Sequence, residues 1–320
     1  MTELTNLTYE QNKKYQAAIE AGYFEGFEKD PRQWKHSFLG AFLWKNPGRK
    51  STIDYFKNIL GHAPTWDDIN EDNLRDFVDY MLERGLSPSS VRTMCAEVKA
   101  VLNANKRKFC CEDFASLLSV KGNTSQSVYL TRDEMEAFIN EKPLNMRERY
   151  VHRVFCVAML TGARRVDAEK LTMANCDMDT NTISYVPQKT PNIIVTLPVD
   201  ERMPLRRFLA DVAALRHPVN EDTFNEIVRR LCERCGFNSI HTIRKSNRIV
   251  TDEKWKLVSS HTARRTFATN LYVAGISIED IALMMGHGKN IETTKRYLCA
   301  DRPLTSNVLA YFQPKQTNKA

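Results

Sequence analysis

A group of basic residues, followed by a tyrosine near the end of the chain, has side chains suited to chemistry on an anionic substrate. His261 and Arg264 stand three residues apart in a segment with helical patterning, so they share one helical face. Arg164 follows a predicted helix end, and Lys189 lies at the tip of a predicted hairpin. The planar guanidinium group of arginine can hold two phosphate oxygens at once. Tyr297 carries a hydroxyl that is a nucleophile only when its surroundings activate it.

Taken one at a time, these residues have simpler structural explanations. A histidine and an arginine on one helical face are most often solvated, and Arg164 could pair with the nearby Asp167. A lysine at a hairpin tip is common without any function. A tyrosine near the end of a chain, such as Tyr297, usually packs in a core when it lies in a helix. Single residues therefore leave both interpretations open.

Several other chemistries lack their sequence signatures. The chain contains no GxxxxGK[ST] loop, no GxGxxG after a predicted strand and no HExxH, and its acidic pairs are typical of solvated turns. Cys232 and Cys235 form a CxxC, but no second such pair exists and His241, the nearest further ligand, stands alone. We therefore expect reduced, mostly buried thiols, no metal ion and no other cofactor.

Considered together and in chain order, the basic segments resemble the tyrosine recombinase (phage integrase) family. The segments run from Thr161 to Tyr297 and read TGARRVDAEKL, QKT, HTARRTFAT, GH and TTKRY. The family pattern is TGxRxxE, a hairpin lysine, HxxR, LGH and a TTxxY nucleophile. Ordered agreement of several motifs is far more specific than a match to one of them.

The resemblance implies that six matching residues are catalytic and that an acid, Asp167, supports them by orienting Arg164. In chain order the six are Arg164, Lys189, His261, Arg264, His287 and Tyr297. Two arginines and imidazole donors can replace a metal ion in stabilising charge on the non-bridging phosphate oxygens. The ammonium group of Lys189 can protonate the departing 5′-oxygen. The tyrosyl ester conserves the bond energy, so a second strand can be rejoined without ATP.

This sequence departs from the family pattern at a few positions. Asp167 stands where glutamate is usual, and Met285 replaces the leucine before Gly-His. Arg265 replaces the histidine that the family commonly has beside the second arginine. The spacing from His287 to Tyr297 is one residue longer than is typical. These departures bear on the fine geometry of the site.

The elements that must position these residues fall into two parts. Up to residue 120 the patterns are helical, with the apolar residues of each helix spaced to share one face. After residue 128, helical segments accompany a hairpin formed by Thr182–Val186 and Ile193–Leu197. We predict a mainly α fold with a small β component (α+β). The resemblance implies a SAM-like helical core-binding domain at 1–120, a linker at 121–128, and a catalytic domain with a C-terminal tail at 129–320.

The charge of the chain is divided unevenly. Residues 1–127 contain equal numbers of basic and acidic residues, whereas residues 128–320 contain 29 Lys and Arg against 22 Asp and Glu, so the whole excess of +7 lies there. Such an excess suits a polyanionic partner such as DNA but is common on other proteins. Five residues of the first part are candidate phosphate contacts, although solvated helix faces explain them equally well. They are Arg49, Lys50, Ser90, Arg92 and Lys99.

The function that the resemblance implies is site-specific DNA recombination through a 3′-phosphotyrosine, without metal or ATP. By the same resemblance we expect a homotetramer on paired duplex sites, with room for accessory DNA-bending or directionality proteins. The alternatives are a type IB topoisomerase and a non-catalytic DNA-binding regulator. Phage integration, movement of another mobile genetic element, inversion and multimer resolution share one chemistry, so the sequence does not choose between them.

The ends of the chain support two further expectations. The polar N-terminus has no apolar region typical of a secretory signal, and no stretch has the length of a membrane span. We therefore expect a soluble protein in the cytoplasm of a bacterium or phage-infected host. Residues 301–320 contain apolar side chains that could fold back onto their own domain, whereas the resemblance implies docking into a neighbouring subunit.

Overall fold

Residues 37–299 are described in the computed structural model, except for residues 47, 123–125, 201, 246–247 and 289. Residues 37–122 form one compact unit, and residues 126–299, apart from Arg248, form a second. Part of the linker expected at 121–128 lies outside the described residues. The N-terminal residues 1–36 and the tail after residue 299, with its predicted docking or fold-back, lie outside them too.

The first unit is built from helices alone within its described residues. They are α1 (Phe38–Lys45), α2 (Lys50–Leu60), α3 (Glu71–Glu83), α4 (Pro88–Ala104) and α5 (Phe114–Leu117). The side chains of Ser37, Asn70 and Ser87 accept hydrogen bonds from backbone N–H groups in the first turns of α1, α3 and α4. These caps satisfy donors that the helix itself cannot pair, which is why the helices begin there.

The predicted apolar stripes of these helices form the core of the first unit. The buried residues of the two stripes are Leu74, Phe77 and Met81 on α3, and Val91, Cys95, Val98 and Leu102 on α4. The rings of Phe56 and Phe77 stack with centroids 4.1 Å apart and join α2 to α3. The stripes are confirmed, because the helical period places each set on one inward face.

The second unit mixes helices and strands. Its helices are α6 (Arg132–Asn140), α7 (Met146–Thr161), α8 (Arg165–Ala168), α9 (Leu205–Ala210), α10 (Glu221–Arg234), α11 (Lys254–Leu257), α12 (Ser260–Val273), α13 (Ile278–Met284) and α14 (Ile291–Lys295). Its strands are β1 (Cys176–Asp177), β2 (Thr182–Tyr185), β3 (Val195–Pro198), β4 (Ile240–Lys245) and, except for Arg248, β5 (Arg248–Glu253). The chain is thus mainly α with a small β component, as predicted.

The strands form two small sheets. Strands β1, β2 and β3 are neighbours in an antiparallel sheet in which Tyr185 pairs with Val195. The predicted hairpin is therefore confirmed, and Lys189 lies in its connecting loop. Strands β4 and β5 form a second sheet that the sequence patterns did not predict. Exposed apolar residues such as Ile240 and Ile249 explain the omission, since they do not alternate cleanly between inside and outside.

From Tyr150 to Met159, helix α7 runs through the core of the second unit and is buried on all sides. The polar residues His152 and Arg153 of this stretch are also buried, and other parts of the unit provide partners for them. His152 Nε2 lies 2.8 Å from the carbonyl oxygen of Phe138. Arg153 donates to the carbonyl oxygens of Ala168, at 3.2 Å, and Leu171. Such pairing makes the burial of these side chains tolerable.

The remaining expectations concern thiols and membranes. All eight cysteines carry free thiols, and Cys110 alone among them is classed as exposed. Within the part of the chain that the structure describes, no helix is both long and apolar enough to cross a membrane.

Candidate active site

Arg164 is positioned by the turn that ends α7. Gly162 stops that helix in the left-handed region, at φ +66°. A β-carbon there would lie 2.5 Å from the ring of Phe267 on α12, so the close approach of the turn to α12 requires glycine. Arg164 follows as the N-cap residue of α8 and is partly buried. Its Nη1 atom is buried and has no hydrogen-bond partner.

Asp167 connects α8 to the loop between β2 and β3. Its Oδ1 atom accepts a hydrogen bond from the backbone N–H of Gln188 at 2.8 Å, while its Oδ2 atom is buried without a partner. No ion pair joins it to Arg164, both of which the structure describes, so the contact that we expected is replaced by one to the loop. The amide of Gln188 immediately precedes Lys189, so Asp167 holds the lysine-bearing segment.

The same loop packs against the turn that contains His287. The hydroxyl of Thr190 donates to the carbonyl oxygen of Gly286 at 3.4 Å. Gly286 has a φ of +67°, and a β-carbon on it would lie 3.1 Å from side-chain atoms of Pro187 and Val195. The side chain of Lys189 is exposed. Glycine at position 286 therefore allows the loop with Lys189 to approach the turn that precedes His287.

Arg264 on α12 is almost completely buried, with 2% of its surface exposed. Its Nη1 atom donates to the carbonyl oxygen of Gly162. Its Nη2 atom donates to the carbonyl oxygen of Met285 at 2.5 Å and to Nε2 of His287 at 2.8 Å. Its Nε atom is buried and unpaired. One guanidinium group thus ties together the turns before Arg164 and before His287.

His287 is held as a neutral imidazole. Its Nε2 atom faces the donor of Arg264, so it must accept, and its Nδ1 atom then carries the proton donated to Thr294 Oγ1 at 2.9 Å. Desolvation lowers the pKa of His287 to about 4, and repulsion by Arg264, Arg164 and Lys189 contributes. Thr294 on α14 is fully buried. Geometry and charge therefore favour the same protonation state.

His261 lies in the first turn of α12, one helical turn before Arg264. Its ring reaches the surface. Displacement of water by the surrounding protein lowers the pKa of His261, and repulsion by Arg265, Arg264 and Arg164 lowers it further. The imidazole thus lies close to both predicted catalytic arginines.

Tyr297 lies in the turn after α14 rather than within a helix. Its backbone N–H donates to the carbonyl oxygen of Thr294 at 2.9 Å. The Cζ atoms of Arg264 and Arg265 lie 5.2 and 5.6 Å from the centroid of its ring. The rings of His287 and Tyr297 have centroids 5.4 Å apart. A partly buried phenol is therefore surrounded by two guanidinium groups and an imidazole.

The structure gathers all six predicted catalytic residues within the second unit. The charges of Arg164 and Arg264 lower the pKa of both His261 and His287, and the charge of Lys189 also lowers the pKa of His287. Sequence reasoning missed the residues that hold these groups in place. They are Gln188, Thr190, Thr269 and Thr294. All four belong to the quoted segments QKT, HTARRTFAT and TTKRY, but the motif comparison assigned roles only to other residues of those segments.

The five candidate phosphate contacts belong to the first unit, where Arg49, Ser90 and Lys99 contact identified partners. Arg49 forms an ion pair with Glu97 at 3.0 Å, and Lys99 Nζ donates to the carbonyl oxygen of Ala115 at 2.9 Å. The hydroxyl of Ser90 lies 2.8 Å from that of Ser87 at the start of α4. Lys50 and Arg92 are exposed.

The side chains that most often bind metal ions are not clustered in the described residues. Across the described ranges, no group of three or more His, Cys, Asp or Glu side chains is placed to hold a metal ion.

A profile of the Phage integrase family matches residues 128–302, more than half of the chain. The chain belongs to this family. The matched range contains all six predicted catalytic residues, so the resemblance seen in the motifs is confirmed at the level of the family.

Individual proteins resemble this phage integrase family member over most of its length. Tyrosine recombinase XerC of Natranaerobius thermophilus is 21% identical over 267 residues, which cover 78% of this chain and 85% of the relative. The structure of the Tn1549 transposon integrase in complex with a circular intermediate DNA has a TM-score of 0.59 at 15% identity, and covers 86% of this chain and 98% of that one. A lambda integrase tetramer bound to a Holliday junction gives 0.55 at 15% identity, with 89% and 86% covered. The structural likenesses show a shared fold.

Proposed function

We propose that this member of the phage integrase family is a site-specific DNA recombinase that cuts and rejoins DNA through a 3′-phosphotyrosine, without metal or ATP. The observation that carries the proposal is the position of Tyr297 beneath the guanidinium groups of Arg264 and Arg265 and beside His287. A phenol is a poor nucleophile unless nearby positive charge stabilises its phenolate or a base removes its proton.

The roles of the arginines follow from their unpaired donors. Nη1 of Arg164 and Nε of Arg264 are buried and lack partners. A buried unpaired donor costs about 1–3 kcal/mol, and the non-bridging oxygens of a phosphodiester would remove that cost. The same contacts would stabilise the charge that these oxygens gain during attack.

The covalent step transfers the phosphodiester from the 5′-oxygen to Tyr297. The oxygen of Tyr297 forms a bond to phosphorus, the bond from phosphorus to the 5′-oxygen breaks, and the phenol proton passes to a base or to solvent. Lys189 donates a proton to the departing 5′-oxygen, which its exposed position on the β2–β3 loop favours. Attack by another 5′-hydroxyl reverses the step and rejoins the strand. His261 and His287 add imidazole groups to the phosphate site, and Asp167 holds the lysine loop.

DNA is the partner that this chemistry requires. The Tn1549 integrase and the lambda integrase, which share the fold, are solved in complexes with DNA, the latter as a tetramer. We extend this to a homotetramer on paired sites in the cytoplasm. The first unit, as a core-binding domain, would contact the opposite face of the duplex through Arg49, Lys50, Ser90, Arg92 and Lys99. Before contacting phosphates, Arg49 would have to leave Glu97, and Lys99 would have to leave the carbonyl oxygen of Ala115. Accessory DNA-bending proteins would act outside this core complex.

A nicked suicide duplex tests the proposal, because loss of a short 5′ fragment traps the covalent complex. Junctions sequenced from cells with and without the gene supply the site for this duplex. We expect the protein to become attached to it in EDTA without ATP, and to exchange strands between two such sites. Binding without attachment would instead indicate a regulator. Relaxation of supercoiled DNA without exchange between sites would indicate a topoisomerase.

A further inference from the structure

The segment from Arg296 to Cys299, which contains Tyr297, is bonded to one face of α12. Two α12 residues, Arg265 and Thr269, make these bonds. They stand four positions apart, so their side chains project from the same side of the helix. Neither was among the residues that the motif comparison assigned a role.

The single hydroxyl of Thr269 makes two hydrogen bonds to the segment. The hydroxyl donates to the carbonyl oxygen of Tyr297 at 3.3 Å and accepts from the backbone N–H of Cys299 at 3.2 Å. Its side chain is fully buried. A buried threonine whose hydroxyl bridges two backbone groups fixes the position of the residues on either side of it.

Arg265 binds the same segment from one turn earlier. Its Nη1 atom donates to the carbonyl oxygen of Arg296 at 2.8 Å and lies 3.9 Å from Sγ of Cys299. Its Cζ atom lies 5.6 Å from the centroid of the Tyr297 ring. One side chain thus contacts the backbone before the tyrosine, the tyrosine ring and the thiol after it.

The residue before Arg265 on α12 makes the placement relevant to chemistry. Arg264 donates to His287, and its Cζ atom lies 5.2 Å from the centroid of the Tyr297 ring. One helix therefore holds both the buried arginine of the site and the segment that carries the nucleophile. A shift of about 1 Å in a reacting group can cost on the order of 10²-fold in rate.

We infer that Arg265 and Thr269 are positioning residues that hold the Tyr297 segment on α12, so that its hydroxyl is presented beside Arg264 and His287. This inference rests on the proposed function, in which Tyr297 attacks the phosphate. It predicts that loss of either contact slows attack while DNA binding and folding persist.

The test compares variants of both residues in single-turnover cleavage of the suicide duplex at saturating protein. Thr269→Val keeps the shape but removes the hydroxyl, whereas Thr269→Ser keeps the hydroxyl. Arg265→Met keeps the apolar stem, and Arg265→Lys keeps the charge. Thr266→Val is the matched control, because Thr266 lies on the same helix, is equally buried and uses its hydroxyl to accept from the N–H of Leu130 at 2.9 Å.

We expect Thr269→Val and Arg265→Met to slow attachment by roughly 10- to 100-fold with unchanged duplex binding. Thr269→Ser and Thr266→Val should stay close to the wild-type rate. Amide exchange at Cys299 should become faster in Thr269→Val, because its N–H loses its acceptor, and should not change in Thr266→Val. A substrate with sulfur in place of the leaving 5′-oxygen should not restore either slow variant, because their defect lies in attack.

The outcomes separate this inference from the proposed function. If wild-type protein attaches to the duplex and both Thr269→Val and Arg265→Met attach equally fast, the inference is wrong and the proposed function stands. If Thr266→Val is slowed as much as Thr269→Val, or if the sulfur substrate restores the rate, positioning of Tyr297 is also overturned. A wild-type protein that never attaches overturns the proposed function itself. Should Arg265→Met fail to fold, the Thr269 pair and Arg265→Lys decide the result.

Discussion

The carboxylate of Asp167 accepts a hydrogen bond from the backbone N–H of Gln188, at 2.8 Å, and so ties the segment of Arg164 to the loop of Lys189. These segments are separated by a turn, a three-residue 3₁₀ helix and two strands in the chain. We therefore propose that Asp167 supports the site through the lysine loop.

Replacement of Asp167 by alanine should therefore slow cleavage in the same way as loss of the Lys189 side chain. The Gln188 N–H would lose its acceptor, and the loop would shift. We expect slower cleavage of the oxygen substrate, with most of the rate restored by a 5′-sulfur leaving group. Asp167→Asn keeps an acceptor oxygen and is the control. Equal losses on both substrates would favour a role in orienting Arg164 instead.

The role of Lys189 has its own test. If its ammonium protonates the departing 5′-oxygen, Lys189→Ala should cleave the oxygen substrate on the order of 10²–10⁴ times more slowly. A sulfur leaving group has a low pKa and needs no acid, so the variant should recover on that substrate. Single-turnover rates on the two duplexes decide the matter. A variant that stays inactive on both would leave Lys189 as a DNA contact.

Gly286 should be essential to the lysine loop in a way that Gly288 is not. Both have positive φ, +67° and +57°, so alanine costs about 1–2 kcal/mol of backbone energy at each. Only at Gly286 would the added carbon come within 3.1 Å of Pro187 and Val195, since the nearest atom at Gly288 is 3.5 Å away. We expect Gly286→Ala to lower the free energy of unfolding and the cleavage rate more than Gly288→Ala. Similar values for the two variants would show that the close contact has no effect.

The neutral state of His287 predicts a pH dependence. Its pKa is about 4 in the folded protein against an ordinary 6.5, so between these values the unfolded chain takes up a proton that the folded chain does not. Its contribution to stability is complete above about pH 6.5 and declines as the pH falls towards 4. Nuclear magnetic resonance titration of the ring, assigned with His287→Gln, should give a midpoint near 4. A midpoint near 6.5 would contradict the neutral, buried arrangement.

The family and its six candidate catalytic residues could be predicted, because the order and spacing of the motif segments can be read directly from the chain. The stripes of α3 and α4 and the β2–β3 hairpin could be predicted for a similar reason, since helix and strand periods show directly in apolar residues. Thr131 and Glu134 form a capping box at the start of α6, and their Thr-x-x-Glu spacing is typical of such a box.

What the sequence could not indicate are the contacts made only in the folded state. The hydroxyl of Thr269 meets Tyr297 28 residues later, and Asp167 meets Gln188 21 residues later, with no local pattern to link them. His152 and Arg153 are polar residues of a buried stretch of α7, and both find carbonyl partners inside the unit. Tertiary packing supplied these partners.

The identity of the nucleophile is the claim on which the rest depends, and Tyr297→Phe tests it most directly. The substitution removes one hydroxyl and leaves the ring that packs against Arg264, Arg265 and His287. We expect the variant to fold and to bind the suicide duplex as the wild type does, yet to form no covalent complex when the two are compared on a denaturing gel. A covalent complex that persists in Tyr297→Phe would contradict the account and assign the attack to another residue.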